Sequence, residues 1–284
     1  LGTSEPHRGY ELGAGKRIGK DPSKVIVPGI FPDNSIVRND ILDYYVEVEH
    51  FDKMVARAIR SLEKLEKLDN TIVVVTSDHG MPFPRAKASL YDAGTHVPLA
   101  IRWPKGIRKP GRVSDALVNL SDLAPTFLEA VGISIPKMMI GKALTDIFKD
   151  KTKVKREAAF IAMERHAGCR EGGKGYPCRA IRTKDYIYIR NFDPDRWPAG
   201  SPERKHCVRH IRYGEVDPSP TKTLMMDDRK YAKLADLAFG KRPAEELYLI
   251  SNDPYQLRNL ADAKEFQKTR NLLRQQLDDH LKKS

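Results

Sequence analysis

A chain of 284 residues has room for one large domain or two moderate ones, and 40% hydrophobic against 31% charged residues excludes wholesale disorder and a fibrous repeat. Fifty Lys and Arg against 38 Asp and Glu leave a formal charge of +12, so the expected partners are polyanions: nucleic acid, anionic lipid or sulfated sugar. No run approaches 18 consecutive apolar residues, and residues 1–30 hold no cationic start followed by an apolar stretch, so neither a membrane span nor a signal peptide is expected here.

Residues 1–20, rich in glycine and polar side chains, read as a loop, and a chain opening on Leu1 rather than Met is expected to be preceded by more protein. Over residues 36–68, Ile41, Tyr44, Val48, Phe51, Val55, Ile59, Leu62 and Leu65 recur in steps of three or four, the stripe of an amphipathic helix, and Asp69-Asn70 ends it. Thr71-Ile-Val-Val-Val-Thr76 is β-branched without alternation, which predicts a parallel strand buried on both faces. Ser77-Asp78-His79-Gly80 follows, and α/β sheets bind ligands at the carboxyl ends of their strands, so a site is expected near Asp78. Residues 97–102 and 113–120 read as further strands. Ser121-Asp122-Leu123 then caps a helix that runs to about Val131 and stops at Gly132.

The charged stretch 149–156 is the expected boundary between an α/β unit at 1–150 and a smaller α+β unit at 151–284. In the second unit, 159–163, 186–190 and 247–250 read as strands, the last ended by Asn252-Asp-Pro254. Residues 263–282 form a closing helix with Phe266, Leu273, Leu277 and Leu281 on one stripe. No internal repeat is visible. Residues 151–213 hold 16 Lys and Arg against 7 Asp and Glu, interleaved with Tyr176, Tyr186, Tyr188, Phe192 and Trp197, so most of the excess charge sits in under a quarter of the chain. That band is either a solvated basic face or a polyanion surface. Cys169, Cys178 and Cys207 are odd in number and lack a C-x-x-C pair, which argues against a disulfide framework or a thiolate zinc site but leaves room for one bridge.

Chemistry concentrates after the Val-rich strand. A carboxylate (Asp78) beside an imidazole (His79) can hold a divalent metal, and the ammonium of Lys87, in a loop with Pro82, Pro84 and Arg85, can return to the same rim to stabilise an oxyanion. The alternative is a capping Asp next to an exposed His. The pair alone does not complete a hard-metal site, which wants roughly six oxygen-rich positions.

Thr76-Ser-Asp-His-Gly80, Lys87, Leu90-Tyr-Asp-Ala-Gly-Thr-His-Val-Pro-Leu99 and Asn119-Leu-Ser-Asp-Leu-Ala-Pro-Thr126 together resemble the carboxyl-side half of the sulfatase family, in the alkaline phosphatase superfamily. Pro6-His7-Arg8, Leu247-Tyr-Leu-Ile-Ser-Asn-Asp-Pro254 and Asn259-Leu-Ala261 fit in order and spacing, so the resemblance covers nearly the whole chain. Met81-Pro-Phe-Pro84 and Tyr176-Pro-Cys-Arg-Ala-Ile-Arg182 look most like the heparan N-sulfatase branch and its bacterial relatives. The resemblance implies the carboxyl-side part of an alkaline-phosphatase-like α/β sandwich with a mostly parallel sheet, plus a small α+β domain with antiparallel strands and a closing helix.

It implies hydrolysis of a sulfate ester or sulfamate on a sulfated carbohydrate, heparan-type N-sulfoglucosamine foremost, by a formylglycine nucleophile beside a divalent cation, usually calcium. Carried over residue by residue, Asp78 and His79 match metal ligands, Lys87 the cation on the sulfate, and His7 a second catalytic group. His96, Glu164, His166 and Arg179 match substrate-binding positions, while Arg165 and Arg182 read as surface or interdomain pairing. Three departures stand out. Most calcium sulfatases carry Asn where His79 stands, which opens manganese and phosphate or phosphonate ester hydrolysis as alternatives. Ser4 replaces the first His of the His-Asp-Pro-His-Arg pattern, leaving His7 either to compensate or to cap the loop. No Cys or Ser here is followed by x-Pro-Ser-Arg, and the early Asp-Asp metal pair is absent. The nucleophile is therefore expected upstream, and this portion alone is expected to be inactive, a polyanion-binding fragment. Family habit implies export to a periplasm or extracellular space, where Cys169 and Cys178 either pair or stay as thiols. No nucleic-acid-binding motif accompanies the charge.

Overall fold

The computed structural model describes residues 2–149 and 156–283, so most of the expected boundary segment 149–156 lies outside the described residues. The opening segment is more than a loop. It contains one helical turn, Ala14–Arg17 (α1), docked on the long helix Ser35–Lys64 (α2), whose Asp43 accepts from the N–H groups of Gly13 and Gly15 at 2.7 and 2.9 Å. A side chain at Gly15 would meet Leu42 Cγ at 2.7 Å, so only glycine lets the turn approach. Asn34 caps α2 by accepting from Ile36 and Val37 N–H.

The strand expected to be parallel, Val73–Thr76 (β1), instead pairs antiparallel with Leu99–Arg102 (β2), with Thr76 opposite Leu99. The short helix Asp92–Thr95 (α3) lies between them in sequence. Contrary to the expectation of full burial, every residue of β1 is half-buried, because the described residues do not cover both faces of this pair. Residues 113–120 form no strand: they have no neighbouring ladder, and Val113 is 93% exposed. Leu123–Ala130 (α4) follows as expected, its entry fixed by Asp122 accepting from Asn119 N–H, and Gly132 at φ 75 ends it. Thr145–Phe148 (α5) closes this stretch.

The remaining strands, Ala158–Met163 (β3), Cys178–Thr183 (β4), Tyr186–Asn191 (β5) and Glu245–Leu249 (β6), form one antiparallel sheet in that order. Helices Pro220–Asp227 (α6) and Ala232–Phe239 (α7) interrupt it between β5 and β6, and Gln267–Leu281 (α8) closes the chain. Both faces of the sheet are buried. Ala180, Ile187, Ile189 and Tyr248 pack with Leu90, Tyr91 and Tyr176, while Ile181, Tyr188 and Leu247 pack beneath Leu273 and Leu277 of α8. The expected alternation along β5 is therefore present, but its Tyr188 face meets a helix rather than water. Strand β4 escapes sequence detection because Arg179 and Arg182 break its apolar pattern. Each Arg is neutralised by pairing, Arg182 with both carboxylate oxygens of Asp92 at 2.9 Å. A third core gathers Val37 and Ile41 of α2, Met225 of α6 and Phe239 of α7 around Phe83, which is fully buried. Burying one such ring contributes about 1.5–3 kcal/mol, and it anchors the loop that carries Lys87.

Candidate active site

The turn after β1 is stitched to the loop before β2. Thr76 Oγ1 donates to Pro98 O at 2.8 Å and Gly80 N–H to Gly94 O at 2.9 Å. A Cβ on Gly80 would lie 1.9 Å from Ala93 O, so residue 80 must be glycine. Within the turn, Ser77 Oγ donates to His79 O at 2.7 Å, and His79 Nδ1 lies 2.8 Å from Gly80 O. A carbonyl only accepts, so Nδ1 carries a proton, and in the neutral ring that leaves Nε2 as the nitrogen that can bind a cation. Nε2 then faces Asp78 Oδ2 at 3.7 Å, and the Asp78 side chain is 86% exposed. Two acceptors facing each other across that gap suit a shared cation, and ligand distances of about 2.0–2.3 Å are compatible with it. The donor chemistry therefore fits a divalent metal, but only as part of a shell: among the described residues no group of three His, Cys, Asp or Glu could hold one.

Lys87 sits on the loop 81–89 between two left-handed residues, Arg85 at φ 59 and Ala88 at φ 57. Such conformations cost on the order of 1 kcal/mol each and persist where surroundings enforce them. Here the buried Arg85 guanidinium does so by donating to Leu237 O and Gln256 O and stacking 3.7 Å from the Tyr91 ring. Lys87 is buried, its Nζ donating to Asp217 Oδ2 at 2.7 Å and to His7 Nε2 at 3.2 Å. His7 Nδ1 is 2.8 Å from Arg8 O, so this ring also carries its proton on Nδ1 and accepts at Nε2. An ammonium has three N–H donors; two are directed here, leaving the third for an anion oxygen. Asp217 is 2% exposed. Burial works against its charge, but hydrogen bonds from Lys87 and Arg209 win and hold its carboxyl below the usual range. Arg8 fixes the His7 loop by a bidentate pair with buried Asp40 at 2.6 and 3.0 Å and a bond to Pro82 O at 2.7 Å.

His166 approaches from the loop between β3 and β4, its ring 6.2 Å from that of His79 and edge-on to it. Partial desolvation, reinforced by the charge of Lys87, holds its imidazole below the ordinary value against the opposing pull of Glu215 and Asp217. Buried Glu215 pins this loop, one oxygen accepting from Ala167 N–H at 2.6 Å and the other from Arg170 Nη1 at 2.7 Å. The structure thus gathers Asp78, His79, His7, Lys87 and His166. His96 is exposed, just past α3 in the loop bonded to the Asp78 turn, and caps α3 through its backbone N–H on Asp92 O. Glu164 and Arg179 are not drawn to Lys87: they pair with each other, and Arg179 also donates to Cys178 O at 2.9 Å. Arg165 donates to Gly173 O. Asp217 and Glu215 were not anticipated from sequence; the one available signal was an acidic Glu-Val-Asp directly after the basic band. Cys178 lies in β4, while Cys169 meets Cys207 instead.

Two family models match: sulfatase over residues 5–133, and the carboxyl-terminal region of N-sulphoglucosamine sulphohydrolase over residues 80–199. An ulvan-active sulfatase of Formosa agariphila is 30% identical over 92% of this chain and 41% of its own length. The human N-sulphoglucosamine sulphohydrolase is 29% identical over 90% of this chain and 50% of its own. The chain thus spans about half the length of these curated relatives. A protein solved in complex with its substrate, D-glucosamine-2-N,6-O-disulfate, superposes with a TM-score of 0.59 at 25% identity, over 87% of this chain and 41% of that one.

Proposed function

The chain belongs to the sulfatase family, and from that premise we propose that the protein hydrolyses sulfate esters or sulfamates of a sulfated carbohydrate, with an N-sulfated glucosamine of heparan type as the favoured substrate. Two observations support this reading: Asp78 Oδ2 and His79 Nε2 face each other at 3.7 Å, with the His166 ring 6.2 Å from that of His79, and Lys87 is held by Asp217 and His7. Asp78 and His79 would hold a divalent cation, calcium or, given the imidazole, manganese, which when bound polarises a sulfate oxygen. The chain's own residues supply the rest. Lys87, fixed by a buried carboxylate, presents its remaining N–H to an anion oxygen without reorganising when charge develops. His7, neutral and accepting at Nε2 from Lys87, can pass a proton to or from a leaving group once that contact opens. His166, kept neutral by desolvation, can donate to a sugar hydroxyl without repelling the cation beside His79. His96, in the loop bonded to the Asp78 turn, is the nearest of the remaining sugar-binding candidates in sequence to that turn, whereas Glu164 and Arg179 would have to exchange their mutual ion pair for contacts with the sugar.

The number of excess cations in residues 151–213 supports a polyanionic substrate, and no helix among the described residues is long and apolar enough to cross a membrane. Export is part of the same proposal. The imidazole at position 79 favours one second reading, phosphate or phosphonate ester hydrolysis with a softer metal. Ion chromatography of the whole protein's products separates the two. Sulfate released from N-sulfoglucosamine, dependent on added divalent metal and abolished in Asp78→Ala, is the expected result. Phosphate release from phosphate esters without sulfate release would establish the second reading, and undiminished sulfate release by Asp78→Ala would remove the metal assignment.

A further inference from the structure

Behind the His166 loop the two thiols of Cys169 and Cys207 lie with Sγ atoms 2.6 Å apart, too close for two unbonded sulfurs, and the residues are 0% and 2% exposed. The backbones around them are already fastened together. Val208 N–H donates to Gly168 O at 3.0 Å, and Ser201 N–H to Cys169 O at 2.7 Å. Gly214 covers the pair from above: a Cβ there would lie 2.2 Å from Cys207 Sγ and 2.4 Å from Cys169 Sγ, so no side chain could share the space. Gly200, at φ 91, packs against the Cys169 Cβ from another side. From this arrangement we infer that Cys169 and Cys207 form a disulfide that cross-links the loop bearing His166 to the segment leading to Glu215 and Asp217.

The pair is chemically asymmetric in a way that suits stepwise closure. Burial penalises the Cys207 thiolate. The hydrogen bond from the Cys169 thiol, the N–H groups of Arg209 and Ile211 and the Arg209 charge more than offset that, so its pKa falls below the usual thiol value. Burial pushes Cys169 up to about 12. Cys207 is therefore the thiol that attacks first. Its thiolate displaces one thiolate from a disulfide donor such as oxidised glutathione. Cys169, losing its proton, then attacks the Cys207 sulfur of the mixed disulfide and releases the second. Two protein thiols give up two electrons and two protons, and one donor disulfide becomes two thiols. Because neither sulfur reaches solvent in the finished fold, the exchange takes place late in folding, when the two cysteine loops have docked but Gly214 has not yet closed over the pair. The 38-residue separation places the bridge among loops whose closure is entropically worthwhile.

The test uses the protein exported to an oxidising bacterial periplasm, purified without reductant, denatured, alkylated and digested with trypsin. Cleavage at Lys and Arg leaves each cysteine on its own peptide: His166–Arg170, Gly175–Arg179 and His206–Arg209. Mass spectrometry should find the first and third joined and only Cys178 alkylated. Alkylated Cys169 and Cys207, or a linked peptide containing Cys178, would overturn the inference. Cys178→Ser should keep the link, whereas Cys207→Ser should expose Cys169 to alkylation and lower Tm by roughly 5 °C relative to the oxidised parent. If Cys207→Ser fails to fold, peptide mapping of the parent and of Cys178→Ser still decides the matter.

Discussion

Replacing Asp217 by Ala removes the carboxylate partner of a buried ammonium. Lys87 and Asp217 have side-chain exposures of 3% and 2%, and after the change Lys87 keeps only its contact with His7. Breaking a buried ion pair from one side costs about 3–5 kcal/mol, mostly as an uncompensated charge. With an unfolding entropy of about 2.1 cal/mol/K per residue, a chain of this length loses roughly 0.6 kcal/mol per degree, so Tm should fall by about 5–8 °C. The second partner, Arg209 at 3.0 Å, is 40% exposed and adds little. A double-mutant cycle isolates the pair: Lys87→Met should be destabilising, and Lys87→Met with Asp217→Ala should cost about 1.5–3 kcal/mol less than the sum. The pH dependence follows from the lowered Asp217 pKa. Its stabilisation is present above the unfolded value of 3.8 and is lost as pH falls through the folded value, so the gap between parent and Asp217→Ala should close only on acidification below about pH 4. Calorimetry and urea titration at several pH values measure all of this. Additivity within about 0.5 kcal/mol, or an unchanged Tm, would refute the account of how Lys87 is held.

Lys222 is buried with its Nζ donating to the carbonyls of Arg212, Tyr213 and Val216, and desolvation lowers its pKa to about 8. Between about pH 8 and 10.5 the unfolded chain binds the proton that the folded one has released, so stability should rise with pH across that window by about 3 kcal/mol; Lys222→Met should flatten the slope in urea titrations. Gly80→Ala should lower Tm by several degrees because its Cβ collides with the Ala93 carbonyl, while Gly2→Ala, in open space, should leave Tm unchanged. Arg8→Lys exchanges a planar fork for a point charge at the Asp40 pair and should cost about 1.5–3 kcal/mol by the same measurement.

The long helix, the Asp78 turn and the closing helix were legible because their signals are local: a period near 3.6, a β-branched run followed by polar residues, an apolar stripe. Ion pairs hid strand β4. Its Arg179 and Arg182 look like surface residues until Glu164 and Asp92 come from elsewhere to meet them. The strand expected at 113–120 had suitable residues and no ladder to join, a condition the sequence of one segment does not contain. At the site, His7 and Lys87 are 80 positions apart and Lys87 and Asp217 are 130 apart, so no spacing rule connects them. Resemblance to a family supplied the catalytic candidates, whereas the residues that hold them in place, Asp217, Glu215 and Asp40, carry no motif.

The central claim, that Asp78 and His79 share a divalent cation, is tested most directly by soaking crystals of the whole protein with manganese and measuring anomalous scattering at the metal edge. A peak within about 2.3 Å of both Asp78 Oδ2 and His79 Nε2 is the predicted result. A manganese peak elsewhere, with both side chains outside its coordination sphere, would contradict it.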